Sequence, residues 1–192
     1  LNSFSLFLMY FLSMLAVPHV YLPIFWMNIV YGLLLCKLNV LKNSEWFIVK
    51  ILYVITGLGG GGAEKVVADL ADQMFLKGHQ VKICYLTGEV VVKPQSEKIE
   101  IIGLGLNSLG GLLEACRYYR KLIKRYQPDV VHAHMIHANI FTRLNRIGCD
   151  VPRLLCTAHS SNEGGKISML AYRLTNFLSD FNSNVSNEAK KS

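Results

Sequence analysis

Between Phe4 and Cys36 the sequence contains no Asp, Glu, Lys or Arg. The run is rich in large apolar residues, among them Leu8, Phe11, Leu15, Phe25, Trp26, Ile29 and Leu33. About 20 apolar residues suffice to carry a helix across the hydrocarbon core of a bilayer. Pro18 and Pro23 fall in the middle, where they break a helix. The segment is therefore expected to be an apolar helical element of membrane type, either one tilted span or a short re-entrant pair. It lacks the basic start and the small-residue cleavage site of a signal peptide. Lys37 and Lys42 follow it, so the positive-inside rule puts the remainder at the cytoplasmic face of the inner (plasma) membrane. A second reading stays open. The chain opens on Leu1, and Val49-Lys50-Ile51-Leu52-Tyr53-Val54 reads like the start of a soluble α/β enzyme. Residues 1–48 would then be an upstream extension.

Cysteine is sparse and unpatterned. Cys36, Cys84, Cys116, Cys149 and Cys156 are odd in number and form no C-x-x-C pair, which excludes a disulfide framework or a zinc site. Acidic residues are also few, 13 against 20 basic ones, for a net charge of +7. That balance favours an anionic partner. The sequence holds no nucleic-acid-binding module and no aromatic stacking platform, so nucleic acid is set aside. A membrane surface or a phosphorylated substrate remains.

From Val49 onward the hydrophobic pattern is that of an α/β domain. Strands are expected at Lys50–Thr56, Gln80–Leu86, Glu100–Gly103, Asp129–Ala133, Arg153–Ala158 and Phe181–Val185. Between them, helical spacing marks Ala63–Lys77, Leu109–Tyr126, Ile136–Ile147 and Ile167–Ser179. Alternating strands and helices imply right-handed crossovers and a doubly wound parallel sheet of Rossmann-like type.

The strongest local signal is Gly57-Leu58-Gly59-Gly60-Gly61-Gly62-Ala63-Glu64, which leaves a strand and enters a helix. Glycine lets a backbone approach a ligand closely and adopt positive φ. The helix start presents unpaired N–H groups with partial positive charge. Together they suit a phosphate. Gly57, Gly59 and Gly62 also satisfy G-x-G-x-x-G, but a nicotinamide site wants an acidic residue at the end of the second strand, and Glu89 comes late for that role.

His132 and His134 lie two apart on one strand and share a face. A metal needs more ligands than this pair supplies, so they read as hydrogen-bonded polar residues at a strand end. No metal site is expected. His159 ends the next strand, at the edge where open α/β sheets bind ligands. Arg117, Arg120, Lys121, Lys124 and Arg125 fall on one arc of the second helix, opposite Tyr119, Leu122, Ile123 and Tyr126. That arc is either an ordinary solvated face or a membrane-facing one, where each basic residue near anionic headgroups contributes about 1 kcal/mol.

Several short motifs, in order, resemble the opening half of family-four glycosyltransferases. They are Gly61-Gly62-Ala63-Glu64-Lys65-Val66-Val67, then Asp69-Leu70-Ala71, then Gly78-His79-Gln80-Val81. Pro128-Asp129-Val130-Val131-His132-Ala133-His134, Cys156-Thr157-Ala158-His159 and Asn184-Val185-Ser186-Asn187-Glu188-Ala189 follow. The resemblance covers roughly residues 49–192. It implies a retaining GT-B enzyme, built from two Rossmann-like halves facing each other across a cleft. The C-terminal half would grip a nucleotide sugar with a Glu-x7-Glu motif. The N-terminal half would bind a glycan or lipid-linked acceptor. The nucleotide sugar is a substrate, and no cofactor is implied.

By the same resemblance, Gly59, Gly60, Gly61 and Gly62 would touch the donor diphosphate, and His159 would lie beside the transferred sugar as the catalytic-side residue. His134, Ser160, Asn162 and Glu163 would line the acceptor cleft. The sequence given contains no Glu-x7-Glu half, so it is expected to be inactive alone, as a fragment of an enzyme of polysaccharide or O-antigen synthesis. A non-catalytic membrane-associated module and a nicotinamide-dependent oxidoreductase are the alternatives.

Overall fold

A computed structural model describes residues 48–159 and 165–184. The chain divides after Phe47 into two units, Leu1–Phe47 and Ile48–Ser192. All described residues belong to the second, so the apolar segment expected near the N-terminus lies outside them. Among the described residues no helix is long and apolar enough to cross a membrane.

The second unit is an α/β layer structure. In chain order it runs β1 (Lys50–Ile55), α1 (Gly62–Leu76), β2 (Gln80–Tyr85), β3 (Glu100–Gly103), α2 (Leu112–Tyr126), β4 (Val130–His134), α3 (Ile136–Arg146), β5 (Leu154–Ala158), α4 (Gly165–Leu174) and β6 (Phe181–Asn184). All strand pairs are parallel, and the sheet order is β3-β2-β1-β4-β5-β6. β1, β4 and β5 are buried along almost their whole length. Their sequences are accordingly near-continuous apolar runs rather than alternating ones.

Side-chain parity splits the core into two layers. Leu52, Val54, Cys84, Val131, Ala133, Leu154 and Cys156 pack with Ala115, Tyr119 and Ile123 of α2 and with Ala138 and Phe141 of α3. The rings of Tyr119 and Phe141 meet edge to face at 5.4 Å. The alternate residues Ile51, Tyr53, Ile55 and Ile83 are buried on the other face. Val67, Leu70, Ala71 and Met74 of α1, also buried, stand apart from the first cluster, and α1 packs on β1 and β2. Helices therefore cover both faces, as doubly wound sheets require.

Element ends differ from expectation where local chemistry intervenes. The second helix starts at Leu112, because Gly110 and Gly111, poor helix formers, hold Leu109–Gly111 in a 3-10 turn. It closes on Gln127 in the left-handed conformation, φ 51°, whose N–H bonds the carbonyl of Ile123 before Pro128. The last helix ends at Leu174, not Ser179. The Thr175 hydroxyl bonds back to the carbonyls of Ala171 and Tyr172, and a 3-10 turn follows at Asn176–Leu178. β4 runs one residue further than expected and includes His134. Asp129 instead turns its carboxylate to accept the N–H of Lys50 at 2.8 Å.

One interhelical tie had no signature in the sequence. Arg143 of α3 is fully buried. Its guanidinium donates to the carbonyl of Tyr172 at 2.9 Å and to the side-chain oxygens of Asn176 and Asn182. It also lies over the Tyr172 ring, 4.2 Å from the centroid. This single cation joins α3, α4 and the edge strand β6.

Candidate active site

The sheet order reverses direction between β1 and β4. In parallel α/β sheets the crevice beyond the strands' C-terminal ends at such a point is where ligands bind. Ile55 pairs with His134 and His134 with Thr157 across β1, β4 and β5. The glycine loop that leaves β1, the β4–α3 corner and the end of β5 therefore open on the same edge, side by side.

The glycine loop divides into packing and open positions. A Cβ on Gly57 would meet the carbonyl oxygen of Thr87 at 3.1 Å, so this residue is needed for close packing. Leu58 anchors the loop by accepting the N–H groups of Val91 and Val92 at 2.8 and 2.9 Å. Gly60 and Gly62 are exposed, and a Cβ on either would meet nothing within 4 Å. Gly61 caps α1 with φ −91° and ψ 174°. None of these loop glycines is among the residues with positive φ. The freedom of glycine to adopt positive φ is not used in this loop.

At Gly61 the space beside the backbone is already taken. The Glu64 side chain folds back over it, and a Cβ there would lie 2.5 Å from a carboxylate oxygen. A Cβ on Gly59 would meet the same carboxylate only at ordinary contact distance, 3.9 Å. Glu64 thus occupies the anion-favouring position over the first turn of α1. Gly60 and Gly62 are the positions that leave the backbone open to a ligand.

Three histidines meet beside this loop. His132 and His134 project from one face of β4, their ring centroids 4.1 Å apart. The Tyr53 ring lies 5.7 and 5.9 Å from them. His132 Nε2 bonds Thr157 Oγ1 at 2.9 Å, and Thr157 Oγ1 in turn bonds Ser183 Oγ at 2.7 Å. His134 Nδ1 faces His159 Nε2 at 3.0 Å. Burial, then the neighbouring His159, pushes His132 down to about 3. Burial and its two histidine neighbours hold His134 well below its ordinary value. Burial alone pushes His159 down to about 4. All three imidazoles are neutral at pH 7. They can offer a hydrogen-bond donor or acceptor, but no cation to a diphosphate; that task falls to the helix N-terminus.

The corner after His134 is strained. Met135 holds φ 72° and ψ 150°, a region that only glycine adopts readily. Its N–H bonds the carbonyl of Thr157, and Asn139 Nδ2 donates to the same oxygen at 3.0 Å. Nothing in the sequence marks this residue, since the strained position carries no glycine. Thr157 was legible only as part of a short motif, and its bonds to His132 and Ser183 not at all.

The remaining expected site residues scatter. Ser160, Asn162 and Glu163 lie outside the described residues. Arg117, Arg120, Lys121, Lys124 and Arg125 are exposed along α2, which runs away from the site toward the opposite edge of the sheet. Of these, Arg120 is engaged: its Nε donates to Asn145 Oδ1 at 3.2 Å, and its guanidinium covers Gly148. A cavity of about 550 Å³ opens at that far edge, lined by Arg120, Lys124, Gln127, Asp129, Cys149 and Asp150. Its charges of both signs and its distance from the crevice set it apart from the site. Among the described residues no group of His, Cys, Asp or Glu is arranged to hold a metal ion.

With the geometry in hand, comparisons give a consistent answer. The sequence pattern of Glycosyltransferase Family 4 matches residues 60–190. None of the curated proteins matches in sequence. Among solved structures, the UDP-N-acetylglucosamine 2-epimerase of Rickettsia bellii superposes with a TM-score of 0.52 at 10% identity, over 76% of this chain and 41% of that one. The UDP-GlcNAc 2-epimerase of Methanocaldococcus jannaschii gives 0.51 at 13% identity, over 73% and 41%. At such identities the likeness concerns the fold alone. The chain spans about two fifths of the length of these proteins.

Proposed function

This chain belongs to Glycosyltransferase Family 4, and from that premise we propose that it forms the acceptor-side half of an enzyme that transfers a sugar from a nucleotide-sugar donor to a glycan or lipid-linked acceptor. One observation carries the reading. The open glycines and the His134–His159 pair converge on the β1/β4 crevice, where a donor diphosphate and the sugar beyond it fit side by side. Gly60 and Gly62 give the diphosphate close access to the N–H groups of α1. His159 stands on the neighbouring strand end, within reach of the sugar. In the two-half reading, the grip on base and ribose falls to a second half. Transfer depends on holding donor and acceptor together between both halves. Acceptor chemistry of the surface-polysaccharide type, and docking of the α2 basic face on an anionic membrane, belong to the same proposal.

The test compares two proteins, the 192-residue chain and that chain completed by a donor-gripping half. The chain alone should bind nucleotide sugars weakly and transfer nothing. In the completed enzyme, Gly60→Val and His159→Ala should each lower turnover at matched folded fraction. Gly60 replaces Gly61 as the informative position, because a side chain at Gly61 first displaces Glu64. Robust turnover by the chain alone overturns the two-half reading. Full activity in both variants removes these residues from the site.

A further inference from the structure

His134 is the most deeply buried polar side chain at the crevice, fully inaccessible, with one nitrogen committed to His159 and the other, Nε2, without a hydrogen-bond partner among the described residues. Both rings are neutral, so one hydrogen lies between His134 Nδ1 and His159 Nε2 and it belongs to one of them. If His134 donates, both rings must adopt the Nδ1–H form, which a free imidazole side chain disfavours. The His134 Nε2 lone pair is then buried among the Tyr53 and His132 rings. If His159 donates, both rings hold the intrinsically preferred Nε2–H form. The buried, unpartnered atom of His134 is then an N–H and not a lone pair, and the neighbouring rings bring no hydrogen-bond demand of their own. Those rings are close, with ring centroids at 4.1 Å for His132 and 5.9 Å for Tyr53.

We propose that His134 is a positioning residue: it accepts the Nε2–H of His159 and so leaves His159 Nδ1 as a bare acceptor, suited to a substrate hydroxyl and not to a phosphate oxygen. His134 Nε2 is buried, so His159 Nδ1, which makes no hydrogen bond to another described residue, is the nitrogen assigned to a ligand. The division of labour within the crevice follows from polarity. The glycine loop offers N–H donors and selects phosphate; His159 offers a lone pair and selects O–H. The word substrate here rests on the glycosyltransferase reading, but the hydrogen-bond direction does not.

The experiment is nuclear magnetic resonance on the 192-residue chain labelled with 15N-histidine at pH 7. The expected result is a slowly exchanging imidazole proton bonded to His159 Nε2, with a coupling across the hydrogen bond to His134 Nδ1. His134→Leu should abolish that signal. His134→Asn, whose amide oxygen can stand where Nδ1 was, should restore it. Inorganic phosphate should leave the His159 Nδ1 resonance in place. A proton bonded to His134 Nδ1, no protected proton in the parent chain, a signal that survives His134→Leu, or a phosphate-induced shift at Nδ1 would each overturn the proposal. The parent spectrum decides the direction even if a variant fails to fold. Because the measurement needs no donor or acceptor, absence of sugar transfer by the completed enzyme would count against the proposed function without touching this result.

Discussion

Acidification should unfold this domain through its histidines. In the unfolded chain a histidine takes up a proton near pH 6.5. In the folded domain His132 does so only at about 3 and His159 at about 4, with His134 held well below its ordinary value. Above pH 7 both states are neutral at these residues and nothing is lost. As pH falls below 6.5 the unfolded state gains protons that the folded state refuses, so stability declines until the folded values are reached. At pH 5 this amounts to about 2 kcal/mol for each histidine. For the three together the loss approaches the lower end of the roughly 5–15 kcal/mol that holds an ordinary domain folded.

Urea titrations followed by circular dichroism at pH 7.5, 6.5, 5.5 and 5.0 measure the effect directly. The midpoint should already fall between the first two, by the equivalent of about 1 kcal/mol for three histidines, and fall more steeply after. His159→Asn, the least buried replacement of the three, should reduce the loss between pH 7.5 and 5 by about 2 kcal/mol, one histidine's share. Equal stability at pH 7.5 and 5, or an unchanged slope in the variant, would refute the argument that these rings are buried neutral.

Three further outcomes are expected. Gly57→Ala should lower the thermal midpoint, because its Cβ would press on the carbonyl of Thr87, whereas Gly60→Ala, facing open space, should leave it unchanged; equal midpoints would dissolve the distinction between packing and open glycines. Met135→Gly should raise stability by about 1 kcal/mol by relieving the backbone strain at φ 72°, and a loss in urea denaturation would show that the side chain earns its place there. Arg143→Leu should cost about 1–2 kcal/mol, since it removes the hydrogen bonds from a buried guanidinium to Tyr172, Asn176 and Asn182; hydrogen exchange should report the loss first in α4 and β6.

The layer architecture was legible because each element's sequence agrees with its place. The Lys50–Ile55 run is apolar on both faces because β1 is central, and Val67, Leu70, Ala71 and Met74 repeat at helical spacing because one side of α1 is buried. The glycine loop and His159 were legible as residue types at a strand's end. What escaped reading is what depends on partners distant in sequence. Glu64 lying over Gly61 is a rotamer choice. Arg143 looks like a surface residue of α3 until Asn176 and Asn182 arrive to receive it. Met135 carries no mark because backbone strain is imposed by the corner and not by the side chain. The freedom of the glycine loop to adopt positive φ goes unused for a related reason: a row of glycines permits that geometry, and here the loop's carbonyl partners at Val91 and Val92 do not require it.

The sheet order also constrains the sequence of events on the ribosome. β1 is made first among the described strands, yet it lies at the middle of the sheet, and Ile51 meets Val130 only across a separation of nearly eighty residues. Until that stretch has left the exit tunnel, the β3-β2-β1 half can pair internally but keeps the apolar edge of Ile51–Ile55 unpaired. Such an edge is a template for association with other chains. The central position that lets β1 present its loop to the crevice therefore makes it, during synthesis, the segment longest in need of chaperone cover.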